Sequence, residues 1–113
     1  MQERIVVLDF ETTGLSAAGG DRAIEVGAVA LENGKITDKY QNLIQPGFKV
    51  DSFIEHYTGI TNHMLDQAPQ PDEVFPELYR FIDGSVMVAH NAGFDRKFLD
   101  MELDQLGYTR QQP

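Results

Sequence analysis

The chain has 113 residues, 42% of them hydrophobic and 24% charged, which suits one domain with a real core and is too short for two of ordinary size. It contains no cysteine, excluding a disulfide framework and a thiolate zinc site. No apolar stretch approaches the roughly 20 residues of a membrane span, the N-terminal MQER lacks a signal peptide's apolar region, and a cytoplasmic location is expected. A net charge of −9 with scattered basic residues argues against a broad basic patch, so a polyanionic ligand needs another attraction, which bound metal ions can supply.

The first predicted element is a strand. Residues 5–8 (IVVL) are β-branched and apolar, the composition of an interior strand, and they lead directly into Asp9 and Glu11. A glycine-containing loop over 16–21 (SAAGGD) follows, then a second strand over 23–31 (AIEVGAVAL). Asn33-Gly34 is the dipeptide of a tight hairpin turn, which predicts an antiparallel third strand over about 36–44, ended by Pro46 and Gly47. Residues 51–64 carry cap-type residues and short apolar clusters, read as two short helical pieces broken at Gly59. Asp72 is expected to cap a helix running to about Asp83, with Val74, Leu78, Phe81 and Ile82 as its apolar stripe and Pro76 near its first turn. A short buried strand over 86–89 (VMVA) and a last helix over 92–106, capped by Asn91 and closed by Gly107, complete the order β-β-β-α-β-α. No repeat, low-complexity tract or linker divides the chain, so residues 1–113 are expected to form a single domain.

The chemistry concentrates in acidic residues. In a strand, Asp9 and Glu11 share a face roughly 6.5 to 7 Å apart along the chain, a separation able to hold metal ions between them. Asp95, in AHNAGFD, falls in the first turns of a helix that follows a strand; if that strand lies beside the first, Asp95 points at the same place. Such hard oxygen ligands suit Mg²⁺ or Mn²⁺. Each residue also has a plain reading. A D-x-E pair is often a solvated strand end, Asp in a first helical turn is favoured by the helix dipole alone, and Glu25 can simply face the open side of a sheet. His56 and His63 read as surface residues, His90 as a hydrogen-bonded core histidine, and Phe10 and Phe94 as core.

Taken together, LDFETTGL, IEVGAV, YTGIT and AHNAGFD resemble, in this order and spacing, the DEDD superfamily of 3′-to-5′ exonucleases, in particular the branch of the proofreading epsilon subunit of bacterial DNA polymerase III. The resemblance covers nearly the whole chain and implies an α/β, ribonuclease H-like mixed sheet with flanking helices, three antiparallel strands plus a parallel one. It implies that Asp9, Glu11 and Asp95 hold two divalent ions, Mg or Mn, and serve as the catalytic carboxylates. It further implies that Phe10 and the segment Thr12, Thr13, Gly14 and Leu15 receive the terminal nucleotide. Tyr57, Thr58, Asn91 and Phe94 are likewise matched to substrate-binding positions, with Phe94 and the Tyr57-Thr58 stretch as walls of the base pocket. The implied substrate is a single-stranded or frayed 3′ end of DNA, with a DNA polymerase subunit as partner.

One departure stands out. The superfamily's third motif, a histidine followed five residues later by an aspartate, is absent beyond Asp95, and His90 with Asp95 has that spacing in the setting of the second motif. The general base, the fourth carboxylate, the last strand and a helix packing on the sheet are therefore expected to lie outside this chain, which reads first as an N-terminal fragment of a longer exonuclease, with a truncated gene product or a chain completed by another copy as alternatives. Two alternatives follow from the same motifs: a relative acting on RNA ends, such as ribonuclease T or oligoribonuclease, and a non-catalytic nuclease-like binding module. A fainter likeness of DFETTG to the D-x-D-x-T loop of haloacid-dehalogenase-type phosphatases lacks their later lysine and paired aspartates.

Overall fold

A computed structural model describes residues 3–89 and 91–108. Its elements are β1 (Arg4–Thr12), β2 (Ala23–Glu32), β3 (Lys35–Leu43), α1 (Ser52–Thr58), α2 (Asn62–Asp66), α3 (Pro71–Ile82), β4 (Val86–Ala89) and α4 (Ala92–Gln105). The strands form one sheet in the order β3-β2-β1-β4, antiparallel except for the parallel pair of β1 and β4. This is the mixed sheet that the sequence predicts, and β1 is interior to it. Asn33 and Gly34 make the hairpin turn with φ of 56° and 76°, a backbone that Asn and Gly tolerate better than other residues.

Alternation along β1 decides where the core lies. Val6, Leu8 and Phe10 are buried with Val26, Ala28 and Ala30 of β2 on one face, under Val74, Phe75, Leu78 and Ile82 of α3 and Phe98, Leu99 and Leu103 of α4. Phe10 packs on Phe75 with ring centroids 6.0 Å apart. On the opposite face Val7, Val86 and Val88 are 39%, 45% and 48% exposed. The strand over 86–89, expected to be buried, is thus partly exposed; among the described residues only one side of the sheet is covered, because α3 and α4 pack on the same face. A second cluster of Ile24, Val50, Ile60 and Leu65, with Ile54 packed against it, anchors α1 and α2 beside the start of β2.

One helix start and one helix cap differ from expectation. α3 begins one residue before Asp72, with Gln70 at the N-cap and Pro71 in the first helical position, where proline's missing amide has no partner to lose. Pro76 consequently lies beyond the first turn, and the carbonyl it leaves unpaired in the helix belongs to exposed Asp72, within reach of water. Asn91 precedes α4 without a side-chain cap; its carbonyl accepts the Asp95 amide at 2.9 Å.

Candidate active site

The carboxylates follow from strand parity. Odd-numbered residues of β1 face away from the core, so Asp9 is exposed and Glu11 half-buried on the uncovered face. Across β2, Glu11 pairs with Glu25 and Asp9 pairs with Gly27, which places a third carboxylate beside Glu11 and no side chain beside Asp9. The parallel pairing of β4 ends at Leu8 with Ala89, and just beyond it the Phe10 amide donates to Asp95 Oδ1 at 3.2 Å. Asp95, 1% exposed in the first turn of α4, is thereby fixed against the strand that carries Asp9 and Glu11.

Electrostatics register the convergence. The Glu11 carboxyl is held above the ordinary carboxylate range, first by burial and then by the negative charges of Asp9, Glu25 and Asp95. Among the described residues no group of three or more histidines and acids is drawn close enough to cage a metal ion. The donor chemistry nonetheless fits a hard cation: carboxylates from a strand and a helix repel one another at one end of the sheet, and a divalent ion relieves that repulsion.

The segment after β1 is built by side chains. Thr13 N–H donates to the Arg22 carbonyl at 2.9 Å, and Arg22 N–H donates to Thr13 Oγ1 at 3.0 Å. Thr13 Oγ1 donates to Asp21 Oδ1 at 2.9 Å, and Ser16 N–H donates to Asp21 Oδ2 at 3.1 Å. Thr12 Oγ1 donates to the Gly14 carbonyl at 2.6 Å. Gly14 lies against the Asp21 carboxylate, so close that a β-carbon there would stand 2.4 Å from Oδ2. Leu15, at the loop's tip, is 87% exposed.

The other residues matched to substrate binding fall in different settings. The Phe10 ring is in the core, on the face opposite Asp9, and only its amide reaches Asp95. Tyr57 is exposed and stacks on Phe53, with ring centroids 5.9 Å apart. Thr58 Oγ1 donates to the Ile54 carbonyl and accepts from the Ile60 amide, which holds the turn at Gly59. Asn91 is exposed, and Phe94 is half-buried against Phe98 at 4.9 Å. His56 and His63 are at the surface, as read from the sequence, and His90 lies outside the described residues. A cleft of about 290 Å³ lined by Gln45, Gly47, Phe48, Lys49, Asn62, Leu65 and Asp66 contains none of these residues. Sequence reasoning missed the local roles of Asp21, Arg22 and Glu102. Their partners are distant or in an irregular loop, and no spacing announces them.

A family model described as Exonuclease, of the RNase T type, matches residues 6–112. The 3′-5′ exonuclease DinG of Bacillus subtilis (strain 168) is 40% identical over 107 residues, 95% of this chain and 12% of that protein. The PolC-type DNA polymerase III of Caldanaerobacter subterraneus subsp. tengcongensis is 42% identical over 109 residues, 96% of this chain and 8% of that protein. The chain thus spans about a tenth of the length of these relatives. Among solved structures, the nuclease domain of 3′hExo, a DEDDh family member bound to rAMP, shares the fold with a TM-score of 0.77 at 21% identity, over 96% of this chain and 62% of that one. A family model spanning nearly the whole chain, on a sheet that brings Asp9, Glu11 and Asp95 to one end, places the protein in the exonuclease family.

Proposed function

We propose that this chain carries the greater part of a 3′-to-5′ exonuclease site that removes nucleotides from single-stranded or frayed DNA ends. The observation that carries the reading is geometric: Asp9 and Glu11 flank Phe10 on an interior strand, and the Phe10 amide donates to Asp95 Oδ1 at 3.2 Å. Two divalent ions, Mg or Mn, would be held by Asp9, Glu11 and Asp95; when bound they supply an activated water and neutralise the scissile phosphate. Asp9 and Glu11 present oxygens from a rigid interior strand, and the amide of Phe10 between them holds Asp95 Oδ1 against that strand. The loop of Thr12, Thr13, Gly14 and Leu15 follows at once, where exposed Leu15 can meet the terminal base and Tyr57 offers a second exposed apolar surface. Cations at these carboxylates let a chain of net charge −9 approach a phosphate.

DNA is favoured over RNA by the relatives, one of them a DNA polymerase, which also supports a proofreading or repair role beside a polymerase subunit in the cytoplasm. The rAMP held by the 3′hExo domain keeps RNA ends as the second reading. We read residues 1–113 as a single domain; the chain covers 62% of that solved one.

The test uses a fluorescent 3′-labelled single-stranded oligonucleotide with Mn²⁺, beside calorimetry of Mn²⁺ binding. The 113-residue chain should bind Mn²⁺ weakly, lose that binding in Asp9→Ala, and turn over little or no DNA. Robust nibbling abolished by Asp9→Ala would show the third motif to be dispensable or supplied in trans. Mn²⁺ binding that ignores Asp9→Ala, or none at all, would remove the metal-nuclease reading and leave a binding module.

A further inference from the structure

Arg22 and Glu102, 80 positions apart in sequence, form a fork-shaped ion pair. Arg22 Nε donates to Glu102 Oε2 at 2.7 Å and Nη2 to Oε1 at 2.6 Å, with the Glu102 side chain 1% exposed and that of Arg22 21%. Removing two charges from water costs several kilocalories per mole, and apolar pairs of similar volume often serve stability equally well or better. What a bidentate pair gives that an apolar contact does not is a fixed distance and orientation.

The two ends of the pair are attached to the site. Arg22 is joined to Thr13 by the two hydrogen bonds already described, just beyond the end of β1. Glu102 lies seven residues after Asp95 on α4, about two turns or roughly 10 Å further on the same side of the helix. α4 is therefore tied to the carboxylate strand twice: through Asp95 to the Phe10 amide, and through Glu102 and Arg22 to Thr13. Between the two attachment points on the chain lie Glu11 and Thr12. A rigid helix held at two separated points cannot pivot about either.

We propose that Arg22 and Glu102 are positioning residues that set the seat of Asp95 against Asp9 and Glu11. The part concerning metal affinity rests on the function proposed above; the part concerning the Asp95 seat does not. The experiment replaces the pair by apolar residues, Arg22→Met with Glu102→Leu, and measures amide hydrogen exchange by NMR in the metal-free chain, alongside the Tm. The double variant should melt near the parent, yet the Phe10 amide should exchange at least about tenfold faster while Ala28, in the centre of β2, keeps its protection. Phe10 protection equal to the parent's would overturn the proposal, because a merely structural pair leaves that hydrogen bond alone. If the double variant fails to fold, Arg22→Lys keeps the charge and removes the fork; faster Phe10 exchange there supports the proposal and unchanged exchange refutes it. Mn²⁺ titration should show about tenfold weaker binding in the folded variant, and equal affinity would refute the link to the metal site. A parent that binds no Mn²⁺ would defeat the proposed function, while Phe10 exchange still decides the positioning role.

Discussion

Replacing Gly14 by alanine tests how the loop after the carboxylate strand is built. The added β-carbon would lie 2.4 Å from Asp21 Oδ2 and 2.6 Å from both Cγ and Oδ1, so the carboxylate has to leave. It then gives up its hydrogen bonds from Thr13 Oγ1 and from the Ser16 amide. At about 1 kcal/mol for each such partly exposed bond, the loss is roughly 2 kcal/mol, or about 10 °C in Tm for a chain of this size. Thermal melts followed by circular dichroism measure it, and the cycle with Asp21→Ala isolates the cause. With the carboxylate already gone, Gly14→Ala should cost less than about 0.5 kcal/mol. An unchanged Tm in Gly14→Ala, or the same loss in both backgrounds, would refute the assignment of this glycine to the Asp21 contact.

Two further outcomes are expected. Burial and the charges of Asp9, Glu25 and Asp95 raise the folded-state pKa of Glu11, so its ionised form opposes folding at neutral pH and its protonated form does not. Glu11→Gln should therefore raise the Tm of the metal-free chain at pH 7, with an advantage that shrinks as pH falls through the folded-state pKa and is gone below the unfolded one. Melts across that range check it, and a pH-independent difference would contradict it. On the uncovered face, Val7, Val86 and Val88 make an apolar strip beside β4, an edge strand among the described residues. Val88→Lys should raise the concentration at which the chain self-associates in sedimentation runs, and indifference to the substitution would show that the strip takes no part in association.

Much of the architecture was legible because local chemistry and tertiary context agree. The β-branched run before Asp9, the Asn33-Gly34 turn and the glycine stops at Gly59, Gly84 and Gly107 mark boundaries through backbone preference alone, and these glycines all have positive φ. The start of α3 differs from expectation because Asp72 as a cap begins the helix at Glu73, whereas Pro71 in the first helical position begins it two residues earlier. The candidate carboxylates were legible too, since period two puts Asp9 and Glu11 on one face whatever surrounds the strand.

What the sequence could not provide was contact between distant segments. It determined that Asp9 and Glu11 stand together, since a strand's periodicity is a local property. Only the parallel docking of β4 on β1 decided that α4 starts where Asp95 meets the Phe10 amide, because partner choice in a sheet depends on side chains far apart in the chain. The same holds for Gly14, whose contact with the Asp21 carboxylate only the fold creates, and for Arg22, which joins Glu102 across 80 positions of sequence.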